Sequence, residues 1–154
     1  MAKKSVKSKD VVLICKVRKN DLDAYSDMIA KGMGRTKKKS SEYLSSLRLK
    51  DMLKAEIDGE PVGFANFSEH KDSLYLNDID VGPRHRRKGI GSVLLTAFEK
   101  KAKDMKKTKV WLHVNTKEKK TVSFYTKNDY AKTGLVKNYY KKGVDAFVFS
   151  KYIR

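Results

Sequence analysis

The stretch VGPRHRRKGIGSVLL, residues 81–95, decides how the chain is read. It follows the alternating segment SLYLNDIDV (73–81) and opens an apolar-periodic one, so a strand ending at Val81 runs into a turn, and the turn into a helix starting near Ile90. The first N–H groups of a helix have no intrahelical partner, and their dipoles sum to a partial positive charge. Gly89 and Gly91 remove Cβ atoms from the approach to those donors, while Arg86, Arg87 and Lys88 add charge at the rim. A turn built this way binds phosphate. The third glycine of a dinucleotide fingerprint is missing, so the loop alone does not name the ligand.

Working outward, VVLICKV (11–17) reads as a buried strand, and Asn20 or Asp21 caps a following helix with Leu22, Tyr25, Met28 and Ile29 on one face. The basic segment GRTKKKSSEYLSSLRL (34–49) reads as a loop entering a short helix capped by Ser40 or Ser41. MLKAEIDGEPVGFANFSE (52–69) forms two strands around DGEP, and SLYLNDIDV completes an antiparallel meander. On that last strand a period of two places Asp78 and Asp80 on the face opposite Tyr75 and Asn77. The helix after the loop presents Val93, Leu94, Ala97, Phe98 and Met105, with Glu99 facing Lys103. A strand KVWLHV (109–114), a short helix KKTVSFYTKN (119–128) and two last strands joined by KKGV (141–144) follow. The sum is an α+β fold, a mixed and mostly antiparallel sheet of about six to seven strands with helices on both faces.

Residues 10–154 fit a single domain, with 1–9 read as a basic flexible tail. The lone cysteine, Cys15, excludes an internal disulfide and a cysteine metal cluster, so no metal is expected, and it points to a reducing, cytoplasmic compartment. No apolar run approaches the roughly 20 residues that span a bilayer, and no membrane partner is expected. Lys and Arg number 36 against 18 Asp and Glu, a net charge of +18, which favours an anionic partner: a phosphorylated cofactor, a ribosome or a nucleic acid. The charges are scattered and lack interleaved aromatic residues, unlike a single-strand stacking platform.

Arg86-x-x-Gly89-x-Gly91 between a strand and a helix resembles the acetyl-CoA loop of the GCN5-related N-acetyltransferase (GNAT) superfamily, whose pattern is R/Q-x-x-G-x-G/A. GEPVGFA, VWLHV and VSFYTKNDY are similar to further strands and a helix of that family, and the likeness covers roughly residues 10–154. It implies acetyl-CoA as cofactor, held by Ile79, Asp80 and Val81 at the strand end, by Arg86, Arg87, Lys88, Gly89, Ile90, Gly91 and Ser92 in the loop, and by Glu118 and Tyr125 beyond it. The segment from His113 to Tyr140 is most similar, without a gap, to protein N-terminal acetyltransferases with a YLHV strand and a KNYYK hairpin. That branch implies His113 as general base, Tyr75 as its partner and Tyr125 beside the cofactor sulfur, with Asn77, Tyr139 and Tyr140 on the substrate peptide.

An α-amine has a reference pKa near 8 and lysine one near 10.4, so deprotonating lysine costs about 3 kcal/mol more. A histidine base therefore suits an α-amine, whereas lysine acetylation would recruit a carboxylate, for which Asp78 and Asp80 are candidates. The chain departs from the family at Glu118, commonly asparagine, at Thr121, commonly alanine, and at Asp129-Tyr130, where the family has Gly-Phe. Its substrate lip, KGMGRTKKKSSEYL (31–44), is basic and suits an acidic peptide or a macromolecular complex. Two alternatives stay open: the same chemistry on protein lysine or a small amine, and a degenerate transferase fold binding nucleic acid or the ribosome.

Overall fold

The structure is a computed structural model that describes residues 10–154. The expected tail at 1–9 lies outside the described residues. In chain order the elements are β1 (Leu13–Lys16), α1 (Leu22–Met33), α2 (Lys37–Ser45), β2 (Met52–Ile57), β3 (Glu60–Glu69), β4 (Ser73–Val81), α3 (Ile90–Asp104), β5 (Lys109–Asn115), α4 (Lys119–Lys127), β6 (Ala131–Lys141) and β7 (Val144–Tyr152). They form one seven-stranded sheet, ordered β1-β2-β3-β4-β5-β7-β6. Every pairing is antiparallel except that of β4 with β5, the two strands that α3 connects. A parallel pair needs such a crossover, because no tight turn can reverse the chain twice.

Each face of the sheet buries its own core. On one side Leu94, Leu95 and Phe98 of α3 and Tyr125 of α4 pack on Phe67, Leu74, Leu76 and Val110. On the other, Tyr25 and Ile29 of α1 and Leu44 of α2 pack on Phe64 and Met52, with Tyr25 stacked on Phe64 at 4.3 Å. The helices on both faces are as expected, as is the meander. Its first hairpin closes through Asp58 and Gly59, both at positive φ (50° and 78°), the conformation a two-residue hairpin turn demands.

Several local expectations are corrected. The first strand is not buried: β1 is a sheet edge, and Leu13 and Ile14 are exposed. The basic segment is helical from Lys37, capped by Thr36, whose Oγ1 accepts from the Lys39 N–H at 3.2 Å, rather than by Ser40 or Ser41. Thr36 wins because it alone has extended backbone with a free turn of donors after it. Asp21 occupies the cap position of α1, but its carboxylate accepts from the Arg18 N–H at 2.7 Å and from Lys54 Nζ at 2.9 Å instead of capping the helix. Glu99 pairs across the fold with Lys151 at 2.9 Å, not along its helix with Lys103. Val93 turns to the surface.

The largest correction concerns β4. Asn66 pairs with Asp78 and Phe67 with Leu76, which leaves Asn77 as an extra residue, a bulge. A bulge resets the alternation of side chains. Asp78 and Asp80 therefore share the α1–α2 face with Tyr75 and Asn77, while Leu74, Leu76, Ile79 and Val81 serve the α3-side core. Strict period-two counting could not see it.

Candidate active site

Strands β4 and β5 pair only over Ser73–Tyr75 and Lys109–Trp111, and beyond the Tyr75–Trp111 rung they diverge. The fork opens a cavity of about 780 Å³, whose walls include Tyr75, Asp78, Asp80, His113, Tyr125 and Tyr139. A second cleft of about 620 Å³ lies at the start of α3 and shares Gly32, Ile79 and Asp80 with the first. The splay thus joins the cleft at the start of α3 to a mixed polar chamber.

Tyr75 and His113 stand on neighbouring strands at the mouth of the fork, with Tyr75 Oη 2.8 Å from His113 Nδ1. The imidazole is stacked on the Tyr139 ring at 4.1 Å and 14°. Burial depresses His113 below its ordinary value, so the ring is neutral at pH 7. Burial, with the neighbouring Tyr139 phenol, pushes Tyr75 well up, so its hydroxyl stays protonated. The pair expected from the sequence is therefore assembled as a hydrogen-bonded couple. Tyr125 is buried on α4, its phenol also raised by burial, at the inner wall of the same cavity. Tyr139 and Tyr140 are half exposed at the end of β6, and burial beside Tyr139 pushes Tyr140 up to about 12.

Asn77 also lines the cavity, and its amide donates to Asn66 Oδ1 and Ser68 Oγ, both at 2.9 Å. Asn66 in turn donates to Tyr25 Oη at 2.8 Å, and Tyr43 Oη donates to Asp78 Oδ2 at 2.9 Å. Asp80 lies beside this network without joining it, and its buried Oδ2 has no partner among the described residues. Desolvation and the Asp78 charge raise Asp80 to about 7, against the opposing pull of Arg86. The folded protein thus holds a proton on Asp80 that the unfolded chain releases near 3.8, so stability falls as pH rises from there through about 7. Asp80→Asn is expected to raise the melting temperature at pH 8 by about 5 °C and to leave it unchanged near pH 4. Equal shifts at both pH values in thermal scans would refute the buried-acid origin.

The phosphate-binding expectation rests on α3. Among the described residues no side chain caps this helix, whose first turn lines the cleft, and Gly89 precedes it at φ 82° with open space where a Cβ would be. Arg86 is steadied by its Nε bond to the Val81 carbonyl at 3.2 Å, and Arg87 also lines the cleft. Gly91 also lines the cleft and has a further role: a Cβ there would meet the Phe124 ring at 3.3 Å, so this glycine lets α4 close against α3. Ile79, Asp80, Val81, Ile90 and Ser92 line the cleft as expected, whereas Lys88 is not among its lining residues. Glu118 lies at the rim of the neighbouring cavity and accepts from Thr121 Oγ1 at 3.3 Å.

Among the other lining residues, Gly32, Arg35 and Tyr43 belong to the expected lip at 31–44 without having been singled out, and Phe124 was given no role. Phe124 had a signal in its place before Tyr125 on a helix, but only packing shows which glycine it meets. Tyr43 and Arg35 had none beyond membership of a basic segment.

A family model described as acetyltransferase (GNAT) family matches residues 26–130. A streptothricin acetyltransferase from Streptomyces lavendulae is 34% identical over 80 residues, 51% of this chain and 42% of that protein. An N-alpha-acetyltransferase from Saccharolobus solfataricus is 29% identical over 93 residues, 58% of this chain and 56% of that protein. The matches thus span about half the length of these two relatives. The structure of Ard1 from Thermoplasma volcanium superposes with a TM-score of 0.81 at 21% identity, covering 93% of this chain and 98% of that one, a likeness that carries the fold.

Proposed function

The chain belongs to the acetyltransferase (GNAT) family, and from that premise we propose that it transfers acetyl from acetyl-CoA to the N-terminal α-amine of a protein or peptide. The observation that carries the finer reading is the Tyr75–His113 couple at 2.8 Å on the cavity wall. A base that is neutral at pH 7 suits an amine with a pKa near 8.

The residues present fit acetyl-CoA. The uncapped start of α3, with Gly89, Arg86 and Arg87, would hold its phosphates, and the divergent ends of β4 and β5 would flank its extended arm. When bound, acetyl-CoA supplies the thioester carbonyl that an amine attacks. Tyr75 Oη accepts a proton from the ammonium while passing its own to His113 Nδ1, whose Nε2–H tautomer this bond selects. Tyr125 holds a proton on its phenolic oxygen at the inner wall, ready for the leaving sulfur. Tyr139 covers His113 and, with Tyr140, offers hydroxyls to a peptide backbone at the entrance. The basic lip around Arg35 favours an acidic peptide.

A second reading has its own observation. The bulge turns Asp78 and Asp80 towards the same chamber as Tyr75, where carboxylates would suit a lysine or a small polycationic amine.

Thiol release from acetyl-CoA, measured against N-terminal peptides, an N-terminally blocked lysine peptide, spermidine and free lysine, separates the two. Turnover on peptides with free N-termini and none on the blocked peptide is expected; activity only on the blocked peptide or the small amines overturns the α-amine reading. RNA binding with no turnover on any amine would overturn both. The pH profile of kcat should fall on the acid side, at a pH below the ordinary histidine value because burial depresses His113, where the imidazole takes a proton and can no longer accept one. A rate that stays level down to pH 5 would exclude His113 as the acceptor.

A further inference from the structure

The fork between β4 and β5 ends on a tryptophan that none of the roles above uses. Trp111 is the last residue of β5 to pair with β4, its partner is Tyr75, and it lies two positions from His113 on the same strand face. Its ring meets Tyr75 at 4.7 Å and 65° and His113 at 5.6 Å and 62°, both edge contacts. The indole is itself fixed: Nε1 donates to Ser73 Oγ at 3.2 Å, and the His70 ring lies 5.7 Å away on another side. Trp111 does not line the cavity. It stands behind the couple, wedged against both of its members at the point where the strands separate.

We infer that Trp111 is a positioning residue, a wedge that fixes the Tyr75–His113 hydrogen bond and keeps water from the back of the imidazole. The inference rests on the reading of that couple as the proton acceptor. An aromatic pair in edge contact is worth about 0.5–1.5 kcal/mol beyond its burial, and here one indole makes two such contacts with groups that must stay aligned. The depression of His113 is caused by desolvation, and the indole supplies part of the apolar wall.

Other groups facing His113 are common to the wild type and the variants below. Tyr75 comes from β4, Tyr139 from β6 with Tyr140 against it, and His70 from the β3–β4 turn, where it touches Tyr75 and Trp111. On the cavity side stand Asp78 and Asp80 from β4, Arg35 between α1 and α2, Glu118 before α4 and Lys141 from β6. From β7, Val148 pairs with His113 and carries no charge.

The test uses Trp111→Leu, which keeps apolar bulk but not the ring, Trp111→Phe, which restores a ring, and Ser73→Ala, which frees the indole without removing it. The His113 imidazole is titrated by NMR in the full chain without substrate. Trp111→Leu should raise the midpoint by about half a pH unit towards 6.5, and Ser73→Ala and Trp111→Phe, which both lose the Nε1 bond but keep a ring, should move it less in the same direction. In steady-state assays Trp111→Leu should lose about tenfold in kcat with KM for acetyl-CoA unchanged, and Trp111→Phe should recover most of the loss. A wild-type midpoint in both Trp111→Leu and Ser73→Ala overturns the inference, as does a kcat loss that Trp111→Phe fails to rescue. If Trp111→Leu does not fold, Ser73→Ala and Trp111→Phe decide by the same two readouts. The titration needs no turnover, so failure of the catalytic reading, seen as wild-type rates in His113→Ala and Tyr75→Phe, is distinguishable from failure of the wedge.

Discussion

His113→Ala is expected to lower kcat by about 100-fold or more, with KM for acetyl-CoA within about twofold of wild type. The imidazole is the only neutral nitrogen base among the residues lining the cavity, and it lies 2.8 Å from the hydroxyl that reaches the chamber. Removing it leaves the Tyr75 proton with no acceptor, because the alternative contact, Tyr139 Oη, is 3.5 Å away and phenolic. Tyr75→Phe should fall by a similar factor, and the double variant should be little worse than either single one, since both changes break one relay. Losses that multiply would mean that the two act separately. Wild-type turnover in either single variant would end the relay reading. The folded fraction, checked by thermal melting, should be near wild type, because His113 fills the mouth of the fork rather than either core.

Arg86→Ala is expected to weaken acetyl-CoA binding by roughly 10–100-fold, the range for a charge-assisted hydrogen bond. Its guanidinium is pre-oriented by the Val81 carbonyl, and the uncapped α3 donors lie in the same cleft. Gly89→Val should weaken binding at least as much, by placing a branched side chain in the open space beside those donors and by straining a backbone held at φ 82°. Lys88→Ala, outside the cleft lining, should cost far less. Calorimetric titration with coenzyme A checks all three. Equal losses for Arg86→Ala and Lys88→Ala would show that general positive charge, not the loop, holds the phosphates.

Much of this was legible in one dimension. The order of strands and helices follows from periodicity, and the helix start near Ile90 from the two glycines and the apolar run after them. The pairing of Tyr75 with His113 came from resemblance rather than spacing, since 38 residues separate them and no local rule brings them together. Local signals failed where a long-range partner competed. Glu99 preferred Lys151 to a helical neighbour, and Asp21 took Lys54 from β2 instead of capping its own helix.

The chain's residues by themselves determined that a turn rich in glycine and arginine would join a strand to a helix, because backbone donors, glycine and arginine act within a single turn. Only the tertiary structure decided which side chains share a chamber. The bulge at Asn77 turns Asp78 and Asp80 to the side of Tyr75, and the divergence of β4 from β5 beyond Trp111 opens the space they face. The divergence separates strands that α3 holds far apart in sequence, and the bulge belongs to the pairing of β4 with β3, where one unpaired residue reverses the facing of all that follow.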